Sequence, residues 1–343
     1  MTSIRSWLNR PPASTPEACR YYGFDTVRSI SALLVVGCHL PIQTSESAAW
    51  CFRYNQFAVP LFAAISGFLL SQSVDRDTTE TILRKRVARI LPLHIVWTVV
   101  YLIAFSLTDY FLNIPDGYLR NMSLIFLVKA FLRGCATVHL WFLPSLLCSS
   151  IALVFLDRFL PRQKWLYLVV SALVLSLGAV RNSHFVLYDM RLFGYLLMGF
   201  GLFRILGGAT FTNLAKAAIP FWCIGVLSFS WLRNLLPDFC LEYVIVLMTM
   251  IVFSDKRIPG NRISAFFSST SLHVYLVHLL VAYFVTVAIR HFYRNPLGPL
   301  MVISMWLFIF FFSAVFSFFC GKLTQTLRRF CTSHIHIAAT REG

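Results

Sequence analysis

The chain has 343 residues, of which 58% are hydrophobic and only 13% charged, with a formal net charge of +16. A soluble domain carries about 25% charged residues, so this composition excludes an ordinary soluble enzyme and points to a multi-pass membrane protein. The surplus of Lys and Arg is read as the basic inner loops of such a protein, with no nucleic acid as partner.

Residues 1–23 are polar, contain Pro11, Pro12 and Pro16, and lack the basic start and apolar core of a signal peptide. They read as a cytosolic tail ahead of a retained first span. Apolar runs then recur as far as Cys320, and one span needs roughly 20 apolar residues. The pattern predicts an all-α bundle of about ten transmembrane helices, at 24–41, 55–72, 88–108, 138–157, 165–181, 190–206, 217–234, 239–253, 264–289 and 297–320. Residues 24–320 form one transmembrane domain in this reading, and 321–343 a second cytosolic tail. The stretch 120–134 is too short and too charged to cross, and reads as an interfacial or re-entrant helix. Basic residues favour the inner ends over the outer ends by roughly two to one, which puts both termini in the cytosol and requires an even number of spans.

The nine cysteines show neither a CxxC pair nor metal-ligand spacing. Cys38, Cys148, Cys223 and Cys320 lie inside apolar runs and read as buried hydrophobes. Cys51, Cys135 and Cys240 lie near one set of loops, where a disulfide is open but unsupported. The 14 carboxylates sit almost entirely in loops or at helix ends, with Asp25 and Glu242 nearest to membrane depth. No carboxylate relay of the usual pump type is therefore available in mid-membrane. No phosphate-cradling glycine loop, metal triad or nucleophile elbow is present.

The first span, FDTVRSISALLVVGCHL, carries Arg28 near its start and His39 near its end. Eleven helical residues advance about 16.5 Å and complete three turns plus about 20°. The two side chains thus share a face at opposite depths. A charge within a span costs about 2.5–3.5 kcal/mol on insertion scales and usually faces the bundle interior or a wet cavity. The bland alternative is an Arg28 that snorkels to the inner interface and a His39 in the outer headgroup layer. In RKRVARILPLH, Arg86 and Arg89 are three apart at the inner mouth of a span, where guanidinium forks suit a phosphate. Arg84 and Lys85 read as plain membrane anchors. HLWFLP, His139 to Pro144, reads equally as an aromatic belt or as a site. Tyr275 and His278 of SLHVYLVH are one turn apart and read equally as a hydrogen-bonded core pair or as a site.

In order along the chain, FDTVRSISALLVVGCH with its Arg-x10-His spacing, VPLFAAISGFLL, RKRVARILPL, HLWFLP and SLHVYLVH resemble the blocks of the membrane acyltransferase-3 family, the bacterial O-acyltransferases of cell-surface glycans. The resemblance runs from about residue 24 to 280. The fourth block here, WFLPSLL, has no acidic residue after its Trp, as in the family branch with a WFL-type block. The resemblance implies a bacterial inner-membrane enzyme with acetyl-CoA as cytosolic donor, a glycan or glycolipid hydroxyl as acceptor, the lipid bilayer as its surroundings and no metal. It implies Arg28, Arg86 and Arg89 as ligands of the CoA phosphates. His39 would be the general base or a transient acyl carrier, with Arg28 as the second catalytic residue. Trp141, Tyr275 and His278 would position substrate. The rival reading from another class is a transporter or flippase for an anionic glycolipid or small anionic metabolite, using the same Arg and His residues as a path.

Overall fold

The computed structural model describes residues 20–40, 54–112, 123–134, 139–159, 163–181, 184–185, 188–206, 212–232, 238–292 and 298–339. Among them the protein is helical apart from one two-residue antiparallel pairing, β1 (His184–Phe185) with β2 (Tyr188–Asp189). The helices are α1 (Tyr22–Cys38), α2 (Ala58–Arg76), α3 (Thr79–Leu112), α4 (Leu124–Arg133), α5 (Phe142–Phe159), α6 (Leu166–Arg181), α7 (Met190–Leu206), α8 (Thr212–Leu227), α9 (Phe229–Leu232), α10 (Asp238–Phe253), α11 (Arg262–Phe292) and α12 (Pro299–Ala339).

Among the described residues, five helical segments are long and apolar enough to cross a membrane: 55–76, 79–108, 142–159, 262–289 and 299–320. Three shorter apolar helices lie at 166–178, 213–227 and 239–253. Several helix limits differ from the apolar pattern. α3 starts nine residues before the expected residue 88, because its basic first turns are good helix formers and simply project beyond the apolar stretch. Pro92 lies inside α3 without ending it, as membrane helices tolerate where neighbours re-satisfy the backbone. α12 continues to Ala339 through the segment expected as a tail, since that segment contains no proline to stop it. The expected helix at 217–234 is two helices, α8 and α9, broken at Ser228. α4 fills the short stretch at 124–133. Ser123 caps it by accepting from the Phe126 N–H at 3.1 Å, and Gly134 ends it in the left-handed region at φ 67°.

The described residues divide into two compact units, one of residues 1–27 and 57–260, the other of 28–56 and 261–343. The boundary runs through α1. In the first unit the centre is the crossing of α2 with α7. Every residue of α7 from Leu192 to Phe203 is buried. A Cβ on Gly67 would overlap the carbonyl of Leu196, and one on Gly199 would overlap the carbonyl of Ala64. The two glycines thus let each backbone rest on the other, which is how membrane helices gain packing energy without a hydrophobic drive between them. Phe68 meets Tyr21 and Phe24 edge to face at 5.1 and 4.9 Å, fixing the start of α1 on α2. Arg204 at the end of α7 pairs with Asp75, and with Asp157 at 3.0 Å, while Tyr167 donates to Asp157 at 2.5 Å. Glu242, its side chain 3% exposed, receives the Arg191 guanidinium at 3.0 Å.

In the second unit, α11 and α12 pack through Phe267 against Phe310 and Phe311, with ring centroids 5.0 and 5.7 Å apart. α1 is tied to both: Ser29 donates to the Ser264 carbonyl at 3.0 Å, and the Trp306 indole donates to the Leu33 carbonyl at 2.6 Å. The cysteines depart from expectation. Cys38 is exposed, and Cys148, Cys223 and Cys320 are only partly covered, because in a membrane bundle an apolar side chain is as well accommodated by lipid as by protein. Cys240 is unbridged; Cys51 and Cys135 lie outside the described residues.

Gly67→Val and Gly199→Val each drive a side chain into a backbone carbonyl. Each should cost about 3 kcal/mol or more as overpacking that no rotamer relieves, read as a lowered melting temperature of the detergent-solubilised protein. Arg191→Ala should destabilise by about 1–3 kcal/mol by stripping a partner from buried Glu242, and adding Glu242→Gln should recover part of the loss; a double variant as unstable as the single would place the cost elsewhere.

Candidate functional site

The second unit gathers the most chemistry in the least space. α1 is helical from Arg28 through Cys38, the residue before His39. The helix ends earlier than the expected residue 41. His39 occupies the turn that follows, with its N–H bonded back to the Val36 carbonyl at 3.2 Å. Both Arg28 and His39 are half-buried. The His39 ring faces His278 of α11 with centroids 5.3 Å apart. His278 is fully buried, and its Nδ1 lies 2.7 Å from the Tyr275 carbonyl and 3.1 Å from that of Val274. A carbonyl can only accept, so the proton sits on Nδ1 and Nε2 carries the lone pair. Tyr275 is buried at 3% exposure, with its ring 6.0 Å from that of His278. The expected Arg-His helix and the expected Tyr-His pair therefore meet.

Gly37 explains how α1 admits its neighbours here. A Cβ at this position would overlap the Asn55 side-chain amide and come within 2.8 Å of the Trp306 ring. Cys38 Sγ donates to the Asn55 carbonyl at 3.2 Å. Asn55, Gly37 and Trp306 did not stand out in the sequence. Asn55 is 16 positions from His39 and Trp306 is much farther, so no periodicity links them to it.

The remaining expected site residues belong to the first unit. Arg86 is half-buried on α3, and its guanidinium donates to the Ser66 carbonyl at 3.3 Å. The arginine block is thus anchored on the Ser-Gly step of α2, next to Gly67. Arg89, one turn on, is exposed. Lys85 binds Asp77 at 2.9 Å and holds that carboxyl below the usual carboxylate range, as suits an anchor residue. Trp141 is half-buried where the chain enters α5. Its backbone lies against Gly134, where a Cβ would reach 2.5 Å from the Trp141 nitrogen, so positive φ and close approach both require glycine there. In the same block His139 is 1% exposed and meets Tyr101 edge to face at 5.2 Å. Buried His94 lies on α3 with Nε2 2.6 Å from the Phe131 carbonyl of α4, a bond in which the ring N–H donates.

Comparison with known proteins adds three findings. Residues 21–322 match the acyltransferase-3 family model, described as an acyltransferase domain. The chain is 27% identical over 214 residues to a protein of Shigella phage Sf6 named O-acetyl transferase, an alignment covering 57% of this chain and 63% of that protein. It is 30% identical over 122 residues to acyltransferase MdmB of Streptomyces mycarofaciens, covering 32% of each chain. The match thus spans less than two thirds of the length of either relative. No solved structure matches the chain.

Proposed function

The chain belongs to the acyltransferase-3 family, and from that membership we propose that it is a membrane O-acyltransferase that moves an acetyl group from cytosolic acetyl-CoA to a sugar hydroxyl of a surface polysaccharide or its lipid-linked precursor. The observation that carries the reading is the meeting of His39 with His278 at 5.3 Å, on a helix that also bears Arg28. Acetyl is chosen because the phage relative bears the name O-acetyl transferase. The setting is the bacterial cytoplasmic membrane, crossed about ten times, with both termini in the cytosol, as the distribution of basic residues supports.

In this reading His39 accepts the proton of the acceptor hydroxyl. The freed oxygen attacks the thioester carbon, and the C–S bond breaks as the tetrahedral intermediate collapses. The departing CoA thiolate takes the proton back from the imidazolium, which balances the step. His278, its Nδ1–H committed to backbone carbonyls, presents a lone pair toward the same region and orients substrate together with Tyr275. Arg28, Arg86 and Arg89 hold the phosphates of CoA, for which the planar guanidinium is suited. Trp141 positions substrate through its ring.

The deciding experiment supplies purified protein in vesicles with labelled acetyl-CoA and a glycan acceptor. Label transfer that requires His39 is the expected result. Movement of acceptor across the vesicle without CoA overturns the enzyme reading in favour of transport. His39→Ala should lower kcat by about 10²–10⁴-fold, the usual contribution of a general base, and retention of more than about a tenth of wild-type turnover removes His39 from that role. The double variant Arg86→Lys, Arg89→Lys keeps the charge but loses the fork. It should raise KM for acetyl-CoA with kcat little changed, and unaltered donor kinetics would leave these arginines as anchors.

A further inference from the structure

We infer that Asn55 is a catalytic residue, whose side-chain amide donates a hydrogen bond to the carbonyl oxygen of the acyl group as that oxygen gains charge during transfer. The inference rests on the acyl-transfer reading above and adds to it a residue that the family blocks do not contain.

The evidence begins with an unpaid polar group. Asn55 is 3% exposed, yet among the described residues neither Oδ1 nor Nδ2 has a hydrogen-bond partner. Buried amides are almost always satisfied, and one that is not calls for a reason. A membrane setting sharpens the point, because lipid supplies no substitute partner. Some buried hydroxyls have a local remedy: Ser150, Thr286 and Ser317 each donate to the carbonyl four residues earlier at 2.6–2.7 Å, whereas those of Ser31, Ser71 and Ser313 have no partner among the described residues. Asn55 stands in a single turn of 3-10 helix, Asn55–Phe57, and makes no such bond.

Its position is fixed by contacts on both sides. The amide rests on Gly37, where any side chain would displace it, and the Trp306 ring closes on the same spot. Cys38 Sγ holds the Asn55 main-chain carbonyl at 3.2 Å. Asn55 is therefore held against the last turn of α1, at the residues that immediately precede His39. A proton acceptor and an amide donor at one helix end are the two groups that acyl transfer needs. When the acceptor oxygen bonds to the thioester carbon, the carbonyl π electrons move onto oxygen. The Asn55 N–H stabilises that oxyanion without giving up its proton, and the electrons return as the C–S bond breaks. The donor is set in advance and buried at 3% exposure, conditions in which one such bond is most effective.

The test uses the full-length protein in detergent or vesicles, labelled acetyl-CoA, and three substitutions. Asn55→Leu removes the amide at similar volume. If no group within the fold satisfies the amide, Asn55→Leu should melt at the wild-type temperature or above, while kcat falls about 10²–10³-fold as for loss of one oxyanion donor. KM for acetyl-CoA should stay within about threefold, since the bond forms only in the transition state. Asn55→Asp, close in shape but able only to accept, should be equally slow. Gly37→Ala, which displaces the amide, should lower kcat in the same manner. A wild-type kcat in Asn55→Leu or Asn55→Asp, with His39→Ala inactive, overturns this inference and leaves the acyl-transfer reading intact. A lowered melting temperature for Asn55→Leu marks the amide as structural and overturns it too. Absence of transfer by the wild-type protein overturns both.

Discussion

The structure depends on one constraint: apolar lipid offers a polar atom no hydrogen bond, so a buried donor or acceptor is costly unless it finds its partner inside the protein. That constraint makes the described chain helical almost throughout, because a helix satisfies its own backbone. It also explains the small bonds that recur along the spans. Serine and threonine side chains turn back to the carbonyl one turn earlier, as Ser150, Thr286 and Ser317 do. His278 does the same with Nδ1, which settles the tautomer of a ring that would otherwise be free to choose. Glu242 is tolerable at 3% exposure because Arg191 reaches it. Against that background an amide left without a partner is informative, and so is the close packing that keeps it there.

Much of this was legible in the sequence because the same constraint writes itself into composition. Polar residues are rare enough in the spans that their spacing carries meaning. Arg28 and His39 are separated by three turns, and helix α1 does run unbroken between Arg28 and Cys38. Tyr275 and His278 stand one turn apart and meet the same site. The apolar runs located the helices but misjudged their ends. Hydropathy measures the thickness of the bilayer, whereas a helix stops only at a breaker or a cap. α3 and α12 therefore extend through charged sequence beyond the apolar run. Cysteines in apolar runs were read as core residues, but apolar sequence does not separate a face toward protein from one toward lipid. Cys38 illustrates the difference.

What the sequence could not reveal is long-range approach. Gly67 and Gly199 are 132 positions apart, and each matters only because the other helix's carbonyl lies against it. Gly37 looked like an ordinary small residue in an apolar helix; its role depends on Asn55 and Trp306, which arrive from two other segments. Arg86 was read as a free fork for phosphate, whereas one of its N–H groups is already engaged with the Ser66 carbonyl. Such a bond constrains the guanidinium plane. The arginine block and the Ser-Gly block, read as separate features in the chain, are therefore two halves of one contact.

In the proposed reaction, the choice of histidine as proton acceptor follows from the same constraint. A carboxylate ready to act as base must remain charged before substrate arrives, and holding a charge at membrane depth is costly without a cation beside it. The carboxylates nearest that depth, Asp25 and Glu242, are both paired, with Arg20 at 2.9 Å and Arg191 at 3.0 Å. A neutral imidazole escapes this conflict: it is uncharged while it waits and becomes charged only as the reaction proceeds. The developing positive ring then faces a developing negative oxygen, so both charges appear together and disappear together when the thiolate is protonated. A site built of imidazole rings, a tyrosine, an amide and an indole, with its arginine three turns along the helix, is consistent with that economy of charge.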